Sequence, residues 1–218
     1  MTPQAAFALL TLGIHHGDEI PSGADGEWMA LIQRSGGWQL ESAAVQIEAI
    51  PDPVLDEPGE PPTGKAVGVP DLGGAPLVLL RGPGLAAGPV HVAQIDPRPL
   101  FPGDQQQLSL PGGEPLTIQS YGQASPNQHG ALVLGDYRLV VRRARAPEVE
   151  LFPSSHLDKE GQVPRVLFAG DLDRDDQLDL LVDTSDHYNV SQLTLFLSSA
   201  AKGGAALAPV ASFRTLGG

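Results

Sequence analysis

Five aspartates lie within nine residues in the C-terminal quarter of the chain, and four of them are regularly spaced. The stretch from Val166 to Asp186 reads VLFAGDLDRDDQLDLLVDTSD. Its aspartates at positions 171, 173, 175 and 179 follow the pattern D-x-D-x-D-x-x-x-D between two apolar runs. Because like charges at this spacing repel one another, the pattern favours a site that shares a cation. A solvated acidic turn is the alternative interpretation.

Calcium is the cation that this spacing predicts, because Ca²⁺ takes about six to eight oxygen ligands, whereas Mg²⁺ prefers to keep several waters. Carboxylates at positions 1, 3 and 5 of a tight loop converge on one point, and position 7 supplies a backbone carbonyl. An EF-hand would require a glutamate at position 12, which is Val182 here, so Asp179 at position 9 closes the cage instead. The predicted Ca²⁺ ligands are Asp171, Asp173, Asp175, the Gln177 carbonyl and Asp179.

The segment AGDLDRDDQLDLLV resembles the calcium loop of FG-GAP/VCBS repeats, the blades of integrin-type β-propellers, in which a strand precedes GDxNxDGxxDL and a second strand follows it. The matching residues are Gly170, Asp171, Asp173, Asp175, Asp179 and Leu180. Asp176 stands where that family usually has glycine, at a position that favours a left-handed backbone. The runs NVSQLTLFLSS and APVASF fit the third and fourth strands of one blade, so the resemblance covers about residues 166–214. It implies one blade and extracellular adhesion or recognition.

The rest of the chain predicts β-structure. Its 26 glycines and 21 prolines interrupt every long window, which disfavours long helices. Short apolar runs such as APLVLLRG and EPLTIQSYG are bounded by Gly or Pro, which is typical of antiparallel strands. The predicted fold class is all-β: an antiparallel sandwich or barrel-like domain with a C-terminal calcium-loop β-hairpin that resembles one propeller blade.

Composition suggests a division of the chain into four regions, with a single domain as the open alternative. Residues 1–50 form an N-terminal β-hairpin region, and 51–64, PDPVLDEPGEPPTG, form a proline-rich acidic loop or linker. Residues 65–165 form an antiparallel β region, and 166–218 form the calcium-loop blade.

Charge and cysteine usage exclude several classes of function. The formal net charge of −13 would repel a nucleic-acid backbone, so no nucleic-acid partner is expected. The chain has no cysteine, which removes disulfides and thiol catalysis. No apolar run reaches the roughly 18 residues that a membrane span needs. The apolar run from Ala5 to Ile14 has no preceding Lys or Arg, so it is interpreted as a first strand and any leader as absent from this chain.

Three other clusters could carry chemistry, but each has a simpler explanation. They are His15 and His16 with Asp18 and Glu19; Ser154, Ser155 and His156; and Arg142, Arg143 and Arg145. Adjacent histidines on a strand point to opposite faces, so a surface pair is expected rather than a metal site. The serine–histidine segment lacks G-x-S-x-G and reads as a polar loop. The arginines are expected to pair with carboxylates, with docking of an acidic glycan as the alternative.

The function that these observations favour is an exported or cell-surface, calcium-stabilised β-rich module that binds a protein or a glycan or has a structural role. The expected location is extracellular, periplasmic or cell-surface. The alternative is a polysaccharide-acting hydrolase or lyase, or an accessory subunit, with a structural calcium. No acid/base pair of a glycosidase is identifiable, so no catalytic residue is predicted and a non-enzymatic role is favoured.

Overall fold

The computed structural model describes residues 6–126, 132–152 and 162–216, and these residues form strands, turns and loops without a helix. The prediction of an all-β protein with antiparallel sheets is confirmed, and one of the sheets curls strongly into a half-barrel. No helix in the described parts of the chain is long and apolar enough to cross a membrane.

Fifteen strands make up the described fold. The first eight are β1 (Ala8–Leu10), β2 (Gly13–His15), β3 (Gly26–Arg34), β4 (Gly37–Ile50), β5 (Gly64–Gly68), β6 (Val78–Arg81), β7 (Gly88–Pro89) and β8 (Gln105–Leu108). The other seven are β9 (Leu116–Pro126), β10 (Leu132–Arg143), β11 (Val149–Phe152), β12 (Arg165–Gly170), β13 (Asp179–Asp183), β14 (Val190–Leu197) and β15 (Ala208–Leu216).

The chain divides into two compact units, Met1–Val90 with Phe213–Gly218, and His91–Ser212. The first unit contains a seven-stranded sheet in the order β1-β6-β3-β4-β5-β2, with β7 paired to β4. The proline-rich stretch that the composition marked as a loop or linker connects β4 and β5, which pair with each other in this sheet. It therefore lies inside the first unit.

The second unit contains two four-stranded antiparallel sheets, each a meander of consecutive strands. Their orders are β11-β10-β9-β8 and β12-β13-β14-β15. Both sheets contribute to one apolar core, for example through Ile118 and Leu139 of the first and Leu180 and Phe196 of the second. The four strands expected for the calcium-loop region are thus present, in the predicted order along the chain.

Period-two alternation is clear in β8 and β9, whereas β13 is buried along its whole length. In β9, Leu116, Ile118 and Ser120 are buried and the residues between them are partly exposed, as expected for a strand with one covered face. All five residues of β13, from Asp179 to Asp183, are buried. A strand that is covered on both faces must satisfy the polar groups at its ends inside the protein.

Tyr137 of β10 provides a test of the second unit's core. Its side chain is fully buried, and its hydroxyl donates a hydrogen bond to the Leu100 carbonyl at 2.6 Å. We expect Tyr137→Phe to lower the free energy of unfolding by about 1–3 kcal/mol, because the Leu100 carbonyl loses that donor in a buried position. Urea unfolding followed by far-ultraviolet circular dichroism measures the change. Tyr188→Phe, at a residue that is 64% exposed, is the matched control and should be nearly neutral.

Candidate metal centre

The aspartate-rich loop, residues 171–178, joins β12 to β13 at one end of the second unit. Gly170, the last residue of β12, lies against the backbone of the 91–93 segment: the Asp171 N–H donates to the His91 carbonyl at 2.9 Å. A Cβ atom at position 170 would come within 2.7 Å of that carbonyl oxygen, so the close approach requires glycine. This contact positions the start of the loop.

Two left-handed residues turn the loop back towards the sheet. Arg174 has φ of 65° and Asp176 has φ of 62°. The left-handed backbone expected at Asp176 is therefore present, with aspartate in a conformation that glycine adopts at lower cost. Aspartate tolerates the left-handed region better than most residues, which makes the departure from the family pattern compatible with the turn.

Backbone N–H groups hold two of the aspartates from within the loop. The Asp171 carboxylate accepts hydrogen bonds from the N–H groups of Asp175 and Asp176, both at 3.1 Å. The Asp179 carboxylate, which is fully buried, accepts one from the Leu172 N–H at 2.8 Å. These bonds hold both carboxylates against the backbone of the loop.

The fold brings three of the predicted ligands together. Asp171, Asp173 and Asp179 each offer a carboxylate oxygen, and these atoms all lie within 4.8 Å of one another. One Asp173 oxygen, Oδ1, is buried and has no hydrogen-bond partner within the described residues. An acceptor left without a donor in a desolvated position is costly unless a cation occupies its free side. The cluster therefore could hold a metal ion, and its purely oxygen donor set suits a hard cation.

Burial raises the pKa values of two aspartates in the cluster. Desolvation raises the pKa of Asp179 to about 8, and the negative charges of Asp173 and Asp175 contribute to the rise. Desolvation is also the main reason that the pKa of Asp173 lies above its ordinary value. Removing water from neighbouring carboxylates disfavours their charged forms, whereas a bound cation favours them.

The other two predicted ligands occupy different positions. Asp175 accepts a hydrogen bond from the Gln177 N–H at 2.9 Å and another from the Ser198 hydroxyl at 2.7 Å, so it adjoins the three clustered aspartates through Ser198. The Gln177 side chain accepts a hydrogen bond from Arg143 and points away from its own loop. The predicted metal ligand at that position is the backbone carbonyl, which this side-chain contact leaves available.

Sequence reasoning missed Ser198 and Ser199, which follow β14. Ser198 donates its N–H to Asp179 at 2.9 Å, and its one hydroxyl proton is shared between Asp175 at 2.7 Å and Asp179 at 3.1 Å. Ser199 donates from its hydroxyl to Asp173. The two serines close the site from a connection about twenty residues further along the chain. Their only sequence signal is the polar pair that ends the apolar run LTLFLSS.

The three other candidate clusters have different outcomes. Arg142 and Arg143 lie near Glu148 and Glu114, at 4.0 and 3.9 Å, which agrees with the internal pairing that the sequence favoured. Ser154, Ser155 and His156 lie outside the described residues. The expectation of a surface pair at positions 15 and 16 is wrong for His15, which is buried and packs edge-on against Phe213.

His16 and Asp52 form a tight pair in the first unit. The His16 Nδ1–H donates to Asp52 Oδ2 at 2.5 Å, and Asp52 also accepts from the N–H groups of Val54 and Leu55. The hydrogen bond to Asp52 raises the pKa of His16 and, in return, lowers the pKa of Asp52. The pair holds the β2–β3 loop against the β4–β5 loop, so its role is structural.

Ser198→Ala should loosen the aspartate loop. We expect the free energy of unfolding to fall by about 1–2 kcal/mol, because Asp175 and Asp179 lose a hydroxyl donor in a buried position. Hydrogen exchange of the loop amides should quicken in the same variant. Ser191→Ala, at an exposed position of β14, is the matched control. Equal exchange rates in both variants would contradict a role for Ser198 in the loop.

The His16–Asp52 pair predicts a pH dependence of stability. A raised folded pKa at His16 stabilises the fold below the unfolded value, and this contribution is lost as pH rises through the folded pKa. A lowered folded pKa at Asp52 stabilises it above the unfolded value, and this is lost as pH falls through the folded pKa. The difference in unfolding free energy between the native chain and His16→Gln should therefore be largest at about pH 4–6.5.

Tryptophan fluorescence is the measurement for this difference, because both tryptophans, Trp28 and Trp38, belong to the first unit. Denaturant titrations across the pH range give the free energies. Gln46→Asn, which changes an exposed and uncharged side chain of the first unit, is the control, and its effect on stability should not vary with pH. A pH-independent difference for His16→Gln would contradict the charged pair.

Comparisons of the chain with protein-family models, with curated proteins and with solved structures give no match. The resemblance of residues 166–214 to FG-GAP/VCBS repeats therefore stays a prediction that rests on the motif residues.

Proposed function

We propose that the protein is a calcium-stabilised β-rich binding or structural module, in which one Ca²⁺ at the aspartate loop orders the end of the second unit. The observation that carries this proposal is the Asp173 carboxylate, whose Oδ1 atom is buried without a hydrogen-bond donor beside the carboxylates of Asp171 and Asp179. A cation would supply the missing partner for that atom and would neutralise charge that the protein has desolvated.

Several features favour calcium over other cations. The clustered ligands are carboxylates, with neither histidine nor cysteine among them, which argues against the sites that zinc and copper prefer. The further oxygen ligands proposed are Asp175 and the Gln177 carbonyl, which would bring the set towards the high coordination number of Ca²⁺. Magnesium demands a near-octahedral shell and retains waters, which a site closed by Ser198 and Ser199 accommodates less well.

The calcium in this proposal has a structural role. It would connect the loop to the start of β13 through Asp179, and Ser198 would extend that connection to the end of β14. Sites of modest affinity are filled at the millimolar calcium concentrations outside cells, so the proposed location is extracellular, periplasmic or on the cell surface. The FG-GAP/VCBS resemblance adds adhesion or glycan recognition as the class of activity, by analogy alone.

Metal-stripped protein titrated with Ca²⁺ tests the proposal. We expect heat of binding in calorimetry and a rise in melting temperature, because a ligand at about a hundred times its dissociation constant stabilises the folded state by about 2.7 kcal/mol. Mg²⁺ at the same concentration should give a smaller rise. No heat and no shift with millimolar Ca²⁺ would leave a hydrogen-bonded acidic turn as the correct interpretation.

Asp173→Ala is the most informative variant for this titration. It removes the carboxylate whose Oδ1 atom lacks a donor, so the response to Ca²⁺ should be lost while the fold remains. Asparagine would be a weaker test, because its side-chain carbonyl can also bind Ca²⁺. Asp179 is a poorer choice, because its carboxylate accepts backbone hydrogen bonds from Leu172 and Ser198 and its replacement would disturb the loop with or without metal. Asp71→Ala, at an exposed position of the first unit, removes the same charge and should respond like the native chain.

A further inference from the structure

A groove of about 370 Å³ lies on the first unit, beside β2. Its walls come from three parts of that unit: β2 and the residues before it, the β4–β5 loop, and the end of β15, which belongs to the first unit from Phe213 onward. Three of the large apolar side chains that line it are strongly exposed: Ile14 at 58%, Val54 at 58% and Leu216 at 53%. Exposed apolar residues that converge on one concave surface mark an interaction site more often than the same residues scattered singly.

The strand that borders this groove is at the edge of its sheet. β2 ends the order of the seven-stranded sheet, and among the described strands it pairs only with β5. An edge strand presents N–H and C=O groups that can pair with an added strand. β2, Gly-Ile-His, is three residues long and carries no lysine, glutamate or proline, so an added strand would pair with it over a short stretch.

The floor of the groove is polar and already organised. His16 lines it, with its Nδ1 atom bonded to Asp52 and its Nε2 atom without a hydrogen-bond partner among the described residues. Glu19 also lines it and accepts hydrogen bonds from the backbone N–H groups of His16 and Leu216. The His16 imidazole offsets the charge of Asp52, which leaves Glu19 as the carboxylate that gives the floor its negative charge.

The loops that border the groove are acidic, and of their carboxylates Glu19 and Asp52 line the groove itself. The two loops that border the groove, residues 16–25 and 51–63, contain three and four acidic residues respectively and neither lysine nor arginine. The acidic side chains are Asp18, Glu19, Asp25, Asp52, Asp56, Glu57 and Glu60. A partner that complements both the charge and the apolar walls must combine basic with apolar side chains.

We propose that this groove binds an extended, basic and apolar protein segment, which adds to the free edge of β2. Alternation in an extended segment would place apolar side chains against Ile14, Val54 and Leu216 and basic side chains towards the acidic loops. All residues that line this groove belong to the first unit, so the proposed binding is independent of the metal site.

A pair of short synthetic peptides, one of alternating valine and lysine and one of alternating valine and glutamate, tests the proposal. Each carries a fluorophore, and binding to the full chain is measured by fluorescence anisotropy with calcium present throughout. We expect the valine–lysine peptide to bind, with affinity that falls as salt is raised, and the valine–glutamate peptide to bind about tenfold more weakly or less. Equal binding of the two peptides, or binding of neither, overturns the proposal.

Substitutions locate the binding surface. Ile14→Ser and Val54→Ser should each weaken binding of the valine–lysine peptide about tenfold or more, because each removes an exposed apolar side chain without adding charge. Tyr188→Ser, at an exposed residue of the second unit, should leave binding unchanged. The unfolding transition reported by tryptophan fluorescence should be the same in all three variants, which separates loss of contact from loss of fold. Unchanged binding in Ile14→Ser overturns the proposal.

A second copy of the chain is the other possible occupant of the groove, and analytical ultracentrifugation tests for it. Without peptide, the native chain and Ile14→Ser should show the same state of association. A concentration-dependent dimer that this substitution dissociates would assign the groove to self-association and overturn the proposal.

Discussion

The burial of the Asp179 carboxylate is the constraint on which the end of the second unit depends. Asp179 opens β13, a strand covered on both faces, so its carboxylate has no access to solvent. A buried carboxylate persists only if hydrogen bonds, protonation or a cation replaces the water that it has lost. Its donors come from Leu172 in the loop and from Ser198 after β14, which forces the chain on both sides of β13 to converge there.

The rest of the loop follows from this convergence. Residues 171–178 must leave β12 and return to β13 within one tight turn, which they do through left-handed residues at positions 174 and 176. The carboxylate of Asp171 caps the turn from inside by accepting the N–H groups of Asp175 and Asp176. The apolar core shared by the two sheets of the second unit then determines where this turn sits, because β13 is held within that core.

The first unit also contains a buried carboxylate, which is stabilised in a different way. Asp52 is also a buried carboxylate, but it is neutralised within the protein by the His16 imidazole and by two backbone N–H groups. The same loop contains Asp56, which accepts hydrogen bonds from the backbone N–H groups of Asp52 and Thr63. The prolines of the β4–β5 loop have no N–H group to donate to a β-ladder, so the aspartates of the loop provide its ordering hydrogen bonds.

The sequence by itself determined the fold class, but it determined the site only in part. Alternating apolar runs bounded by Gly and Pro determined the all-β class, and local spacing was enough to single out the loop that brings Asp171, Asp173 and Asp179 together. Both are properties of short stretches of chain, in which residue spacing limits the geometry directly. Only the tertiary structure decided that Ser198 and Ser199 close the site, that Asp175 bonds to Ser198, and that His15 is buried. These contacts join residues that are distant in sequence, and it is the packing of sheets and loops, which no local pattern encodes, that brings such residues together.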